Sequence, residues 1–209
     1  MTYMNKLLII LLSALVISCQ QINWLEAPAT VSSVIRGVPD IKVDNEYFNS
    51  AKYSFIKVKS GRFINFTATL VSIDNKIYKW VSSEGHKIYT KDGKIIKINA
   101  QPENSFYHLP SSFSLLENST VEFNVFFENP QALMTQNSQI ENFYDEQIIY
   151  LEEKIDVIRY DEKVTTQIFE WESVNKYWID RGSDLVIRSE QNLYPFRKTY
   201  LIEFYYKFN

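Results

Sequence analysis

The chain has 209 residues with 22 basic and 25 acidic side chains, is 45% hydrophobic and 15% aromatic, and contains only five glycines, six prolines and one cysteine. Glycine and proline together fall well below the roughly 12% of average usage, which excludes collagen-like, linker-like and disordered classes and leaves a packed fold. A net charge of -3 and a pI near 5.5 supply no basic stripe for following phosphates, so nucleic acid is not an expected partner.

At the N-terminus, Leu7 to Ile17 form an uncharged apolar run preceded by Lys6 and followed by Ser18 and Cys19. As a helix rising 1.5 Å per residue it is roughly 16 Å long, about half of a 30 Å hydrocarbon core. The run therefore reads as the h-region of a signal peptide over residues 1–18. Val16-Ile17-Ser18-Cys19 resembles the lipobox of bacterial lipoproteins, which makes Cys19 the expected lipid attachment point and residues 19–29 a lipidated tether. The alternative is a plain signal peptide with an incidental cysteine. Gln20 after the cysteine implies sorting to the outer membrane. Three acyl chains, palmitate among them, at about 0.8 kcal/mol per buried methylene would anchor the chain in the membrane effectively permanently. With no other cysteine, disulfides, thiol catalysis and cysteine-zinc sites are excluded.

Beyond the tether the sequence predicts a single all-β domain over residues 30–209, built of antiparallel meanders that form a sandwich or an open barrel, with one short N-terminal helix. Thr30 as N-cap, Val31, Val34 and Ile35 at helical spacing, and Gly37 as a stop place that helix at 30–36. From Phe55 the period changes to two. Strands are expected at 55–59, 64–70, 77–81, 87–90 and 95–98, separated by turns at Ser60-Gly61, Asp74-Asn75, Glu84-Gly85 and Asp92-Gly93. Residues 101–118 look irregular, with a short helical turn at 113–117. A strand at 121–125 ends at Asn129-Pro130, and a polar loop is expected to about Asn142. A bent strand over 147–160 follows, then strands at 164–174 after an Asp161-Glu162-Lys163 turn, 176–180, 185–192 and 198–208. The last places Tyr200, Ile202, Phe204, Tyr206 and Phe208 on one face and Glu203 and Lys207 on the other.

Chemistry-bearing patterns are sparse. His86 and His108 lie in no metal-ligand spacing, so neither a metal nor any other cofactor is expected. There is no GxSxG, P-loop or GxGxxG. The carboxylate pairs Glu152-Glu153, Asp161-Glu162 and Glu170 with Glu172 are candidates for glycoside chemistry only if two of them converge in a cleft. Trp80, Trp171 and Trp178, with neighbouring tyrosines, are either core filler or stacking surfaces for sugar rings.

Several separated pieces resemble the group 4 capsule polysaccharide lipoprotein family. They are Gly37-Val38-Pro39-Asp40, Trp80 with Ser82-Ser83, and Thr90-Lys91-Asp92-Gly93-Lys94-Ile95. Further on come Tyr177-Trp178-Ile179-Asp180, Leu185 to Gln191 including Arg188-Ser189-Glu190-Gln191, and Pro195. The sequence departs from the family's pattern at the Arg181-Gly182-Ser183-Asp184 turn and at Lys94, where arginine is frequent. The resemblance implies an all-β lipoprotein anchored in the outer membrane and facing the periplasm, a non-catalytic accessory in capsule or exopolysaccharide assembly or export. Implied partners are the membrane, through Cys19, other envelope proteins of that system, and the polysaccharide itself. Trp80, Trp171, Tyr177, Trp178, Asp180, Arg188 and Gln191 are the candidate glycan or partner contacts, and bracing of the sheet is the other role open to the C-terminal motif. Alternative functions are a glycan-binding module using exposed aromatics and a polysaccharide-processing enzyme.

Overall fold

A computed structural model describes residues 38–100, 103–108, 120–128, 131–167, 170–195 and 198–207. Cys19, the 30–36 helix and the 113–117 turn lie outside them. Residues 38–209 make one compact unit. It opens with helix α1 (Asn45–Ser50), where the Asp44 side chain caps the first turn by accepting from the Tyr47 N–H at 2.9 Å.

Twelve antiparallel strands follow: β1 (Phe55–Ser60), β2 (Ile64–Asp74), β3 (Ile77–Ser82), β4 (Lys87–Lys91), β5 (Lys94–Ala100), β6 (Glu103–His108), β7 (Val121–Glu128), β8 (Gln131–Tyr150), β9 (Glu153–Thr166), β10 (Trp171–Asp180), β11 (Val186–Gln191) and β12 (Tyr200–Tyr205). Each pairs with its neighbour in sequence, and β1 pairs with β12 from Phe55↔Tyr205 to Ser60↔Tyr200, so the meander closes into a barrel. The all-β antiparallel meander is as the sequence predicts, and this last pairing closes the barrel that the sequence reading left open. The expected Asp92-Gly93 turn is in place, and the turn expected at Asp74-Asn75 lies one residue further on. Asn75 and Lys76, and Asp92 and Gly93, have positive φ at both central positions, the two-residue turn that matches strand twist.

Five segments differ from the sequence reading. The strand expected over 164–174 is the end of β9 and the start of β10, which pair at Thr166↔Trp171, and the expected 176–180 strand continues β10 without a break. The expected polar loop after Pro130 is the first half of β8, because Met134, Gln136 and Ser138 point into the barrel, where the polar pair finds hydrogen-bond partners. The single bent strand over 147–160 is the end of β8 and the start of β9, reversed by Leu151 and Glu152 at φ 48° and 66°. Those residue types give no turn signal. The expected Asp161-Glu162-Lys163 turn is mid-β9, with Glu162 inside and its neighbours outside. Strand β6 lies within the stretch read as irregular.

A round barrel of twelve strands would leave a lumen. Here β5 and β11, six strands apart either way round, meet across the interior. A Cβ at Gly93 would lie 2.4 Å from Val186 Cγ1, so the β4–β5 turn touches the far wall as closely as glycine permits. The space to either side is filled. On one side Trp80, Phe204, Tyr78 and Tyr206 pack as an aromatic group. On the other, the segment after β11 turns inward, with Leu193 and Pro195 buried and the Tyr194 ring 4.0 Å from that of Phe127.

Outward positions carry Lys57, Lys59, Lys163, Lys176, Glu172, Glu190 and Glu203 among others. That is the reverse of the apolar-out pattern of membrane-spanning barrels. Among the described residues no helix is long and apolar enough to cross a membrane.

Candidate functional site

Part of the family-like motifs, namely Trp80, Thr90, Lys94, Tyr177, Ser189 and Gln191, lies in the barrel interior. Gln191, fully buried on β11, donates from Nε2 to the Gly93 carbonyl at 2.8 Å and accepts the Ile95 N–H at Oε1 at 2.9 Å, so one side-chain amide clasps the backbone of the opposite wall. The same Nε2 lies 2.8 Å from Ser189 Oγ. Trp80 Nε1 donates to Thr90 Oγ1 at 2.9 Å, which satisfies the indole N–H of a ring with no solvent exposure.

Lys94, the first residue of β5, enters the interior beside this clasp and forms an ion pair with Glu162 of β9. The pair is closed to water, with side-chain exposures of 3% and 0%. Glu162 also accepts from Ser138 Oγ, from Asn175 Nδ2 at 3.0 Å and from the Tyr177 hydroxyl at 2.8 Å. The Lys94 ammonium sits 4.4 Å from the Phe123 ring centroid. Burial alone would raise the Glu162 carboxyl, but the Lys94 charge and the donated hydrogen bonds outweigh it and hold the group below the usual range. Burial pushes the Lys94 ammonium down, opposed by Glu162. Both groups are held by partners and enclosed by side chains, so this arrangement supplies structure rather than a reacting centre.

The opposite face of the sheet carries a second assembly. Past the register shift at Ile140/Asn142, the β8–β9 hairpin curls over the outside of the barrel, and Ile148, Tyr150 and Ile155 pack on Val157, Trp178 and Ile187. Tyr150 stacks on Tyr205 at 5.4 Å and donates its hydroxyl to the Phe204 carbonyl at 2.7 Å. Desolvation beside Glu203 raises both tyrosine hydroxyls far above their ordinary value, so they remain protonated donors. Charges run along this face from Asp40 to Lys57, Glu203 and Arg188, at 3.2, 3.5 and 3.0 Å. Glu146 accepts from Trp178 Nε1 at 2.9 Å and pairs with Arg159. Between the hairpin and residues 40–43 lies a groove of about 440 Å³, lined by Lys57, Tyr150, Glu203 and Tyr205 among others.

The sequence-predicted contacts divide accordingly. Trp80, Tyr177 and Gln191 are interior and wholly covered. Trp178 faces outward but lies under the β8–β9 hairpin and is 8% exposed. Arg188 is half-buried beside it, its guanidinium 5.9 Å from the Trp178 ring centroid. Asp180 accepts from the Ser183 N–H at 3.0 Å and from its hydroxyl at 2.6 Å, and so shapes the β10–β11 turn. Trp171 is partly buried against the main core. The structure thus brings Tyr177 and Gln191 into one interior and Trp178 and Arg188 into one outer cluster. The carboxylate pairs do not converge. Asp161 binds Arg159 outside while Glu162 is inside, Glu172 pairs with Lys163, and Glu152 caps the hairpin beside Lys42 and Asn45. Among the described residues no group of three or more His, Cys, Asp or Glu is placed to hold a metal.

Sequence reasoning missed Ser138, Asn175 and Glu146, and took Glu162 for a turn residue and half of a carboxylate pair rather than an interior partner of Lys94. The signal for Glu162 was its phase, since it falls in step with Tyr160 and Val164, a charge at an interior position of an alternating strand.

A family model described as "Group 4 capsule polysaccharide lipoprotein gfcB, YjbF" matches residues 28–204. Among solved structures, the hypothetical lipoprotein YmcC of Escherichia coli K12 superposes with a TM-score of 0.70 at 17% identity, covering 80% of this chain and 90% of that one. A protein from Parabacteroides distasonis, also described as a lipoprotein, covers 75% and 95% at 10% identity with a TM-score of 0.36. No curated protein matches.

Proposed function

Since the chain belongs to the group 4 capsule polysaccharide lipoprotein family, we propose that it is an outer-membrane-anchored periplasmic lipoprotein serving as a non-catalytic accessory in capsule or exopolysaccharide assembly or export. The observation that carries this reading is the family match over residues 28–204, in a chain whose only cysteine directly follows a signal-like apolar run. In this reading acyl chains on Cys19 hold the chain at the membrane, and the polar outer positions of the barrel are the surface offered to other envelope proteins. Polar, charge-balanced walls of this kind suit reversible contacts between proteins.

Deleting the gene and staining surface polysaccharide tests the role: loss or mislocalisation of capsule or exopolysaccharide is expected, and an unchanged surface would refute it. Labelling cells with a palmitate analogue tests the anchor, with incorporation expected in the native chain and none in Cys19→Ala. A second reading, a glycan-binding module, is favoured by the groove beside Tyr150 and Tyr205. Isothermal calorimetry with the purified polysaccharide decides it, since absence of heat removes that reading.

A further inference from the structure

Among the described residues, the second half of β8 has an open edge. Residues 131–138 pair with β7 on one side, but residues 139–150 pair only with β9 among the described residues. The closing pair Tyr150↔Glu153 brackets a two-residue turn, so Tyr150, Ile148, Glu146 and Tyr144 bond to β9. The N–H and C=O groups of Phe143, Asp145, Gln147 and Ile149 consequently point away from it. This stretch contains no proline or lysine, the residues that commonly blunt such edges. It carries exposed apolar groups instead: Phe143 is 74% and Ile149 65% exposed.

We propose that this edge pairs with the same edge of a second copy, antiparallel across a two-fold axis at Glu146. In that register Phe143 faces Ile149 of the partner subunit, and Asp145 faces the partner's Gln147. All four outward-pointing residues of each copy then become hydrogen-bonded pairs, with apolar groups opposite apolar groups and a carboxylate opposite an amide. Moving the axis to residue 145 would set Asp145 against the partner's Asp145, and moving it to 147 would set Asp145 against the partner's Ile149. The charge of Glu146 at the axis is already met by Arg159 and Trp178. Self-pairing therefore has one favoured register.

The test uses the full chain in detergent at concentrations up to about 100 μM, as an interface of small area requires. Size-exclusion chromatography with light scattering is expected to show a dimer for the native chain and a monomer for Gln147→Pro, which removes an outward donor. Gln147→Ala, which keeps that N–H, should remain dimeric. Should the proline variant fail to fold, Phe143→Lys with Ile149→Lys, at two exposed positions, must give a monomer. Amide exchange at residues 143, 145, 147 and 149 should slow as protein concentration rises. A native chain that stays monomeric, a dimer that survives both variants, or exchange at these amides that does not change with concentration would overturn the proposal.

Discussion

Substituting Glu162→Gln removes one charge from the barrel interior at almost constant shape. In the native protein one carboxylate oxygen faces Lys94 and Ser138 and the other faces Asn175 and Tyr177. The Ser138 and Tyr177 hydroxyls can turn to accept, but the Lys94 ammonium on one side and the Asn175 NH₂ on the other cannot, so whichever way the new amide points, its NH₂ group meets a donor where an acceptor stood. The Lys94 ammonium, 3% exposed, loses the carboxylate with which it pairs. Breaking a buried pair from one side costs about 3–5 kcal/mol, because the remaining charge stays desolvated. For a protein of this size each kcal/mol lowers the melting temperature by roughly 2–4 °C, so a drop of about 6–20 °C is expected.

Differential scanning calorimetry on the native chain, Glu162→Gln, Lys94→Met and the double variant closes the cycle. The double variant removes both charges of this pair and should recover at least half of the loss of the worse single variant. The reasoning is refuted if Glu162→Gln costs less than about 1 kcal/mol, the range of exposed pairs, or if the two single effects simply add.

Gly93→Ala combines positive φ with a Cβ 2.4 Å from Val186 and should destabilise by about 2–4 kcal/mol, whereas Gly85→Ala, with positive φ and nothing within 4 Å, should cost about 1 kcal/mol, both read by thermal denaturation. Gln191→Leu leaves the Gly93 carbonyl and Ile95 N–H buried without the clasp, and a loss of about 2–5 kcal/mol is expected in urea titrations. Because the Glu162 carboxyl is lower in the folded than in the unfolded chain, its contribution is complete above the ordinary value of 4.5 and is lost as pH falls through the depressed one. Stability measured by urea titration should therefore fall more steeply below pH 4.5 in the native chain than in Glu162→Gln, and equal slopes would contradict the assignment.

The architecture was legible wherever a strand alternated cleanly and ended on a residue suited to its turn. β1 to β5, β11 and β12 announce themselves by alternation, and Asp92-Gly93 by its preference for positive φ, whereas the start of β10 runs together with the end of β9 in the strand expected over 164–174. Closure was not legible, since nothing in β1 or β12 alone says that Phe55 lies beside Tyr205. β8 was lost because its inward residues include Gln136 and Ser138, which look like loop residues until the interior that satisfies them is known. Its reversal was lost because Leu151 and Glu152 are unusual at positive φ. Among site residues, position along the strand was informative but burial was not: Trp178 and Tyr177 are adjacent, yet one faces the interior and the other lies outside under the β8–β9 hairpin.

The interior polar residues also bear on how a meander of similar strands finds one register. Strands such as β5 and β12 carry near-equivalent alternations, and a slip by one residue exchanges their faces. An apolar core penalises such a slip only through lost burial, whereas here it would also turn Lys94 outward, leave Glu162 buried without its cation and draw the Gln191 amide away from the Gly93 carbonyl. Each of those losses costs on the order of 2–5 kcal/mol, comparable with the whole stability of many domains. A buried ion pair is a weak source of net stability compared with well-packed apolar groups, but it discriminates sharply between the native pairing and its neighbours. The inward-facing family-like residues of β5, β10 and β11, Lys94, Tyr177 and Gln191, therefore fix which walls meet inside the barrel, while the outer face presents Arg188, Glu203, the edge of β8 and the groove beside Tyr205.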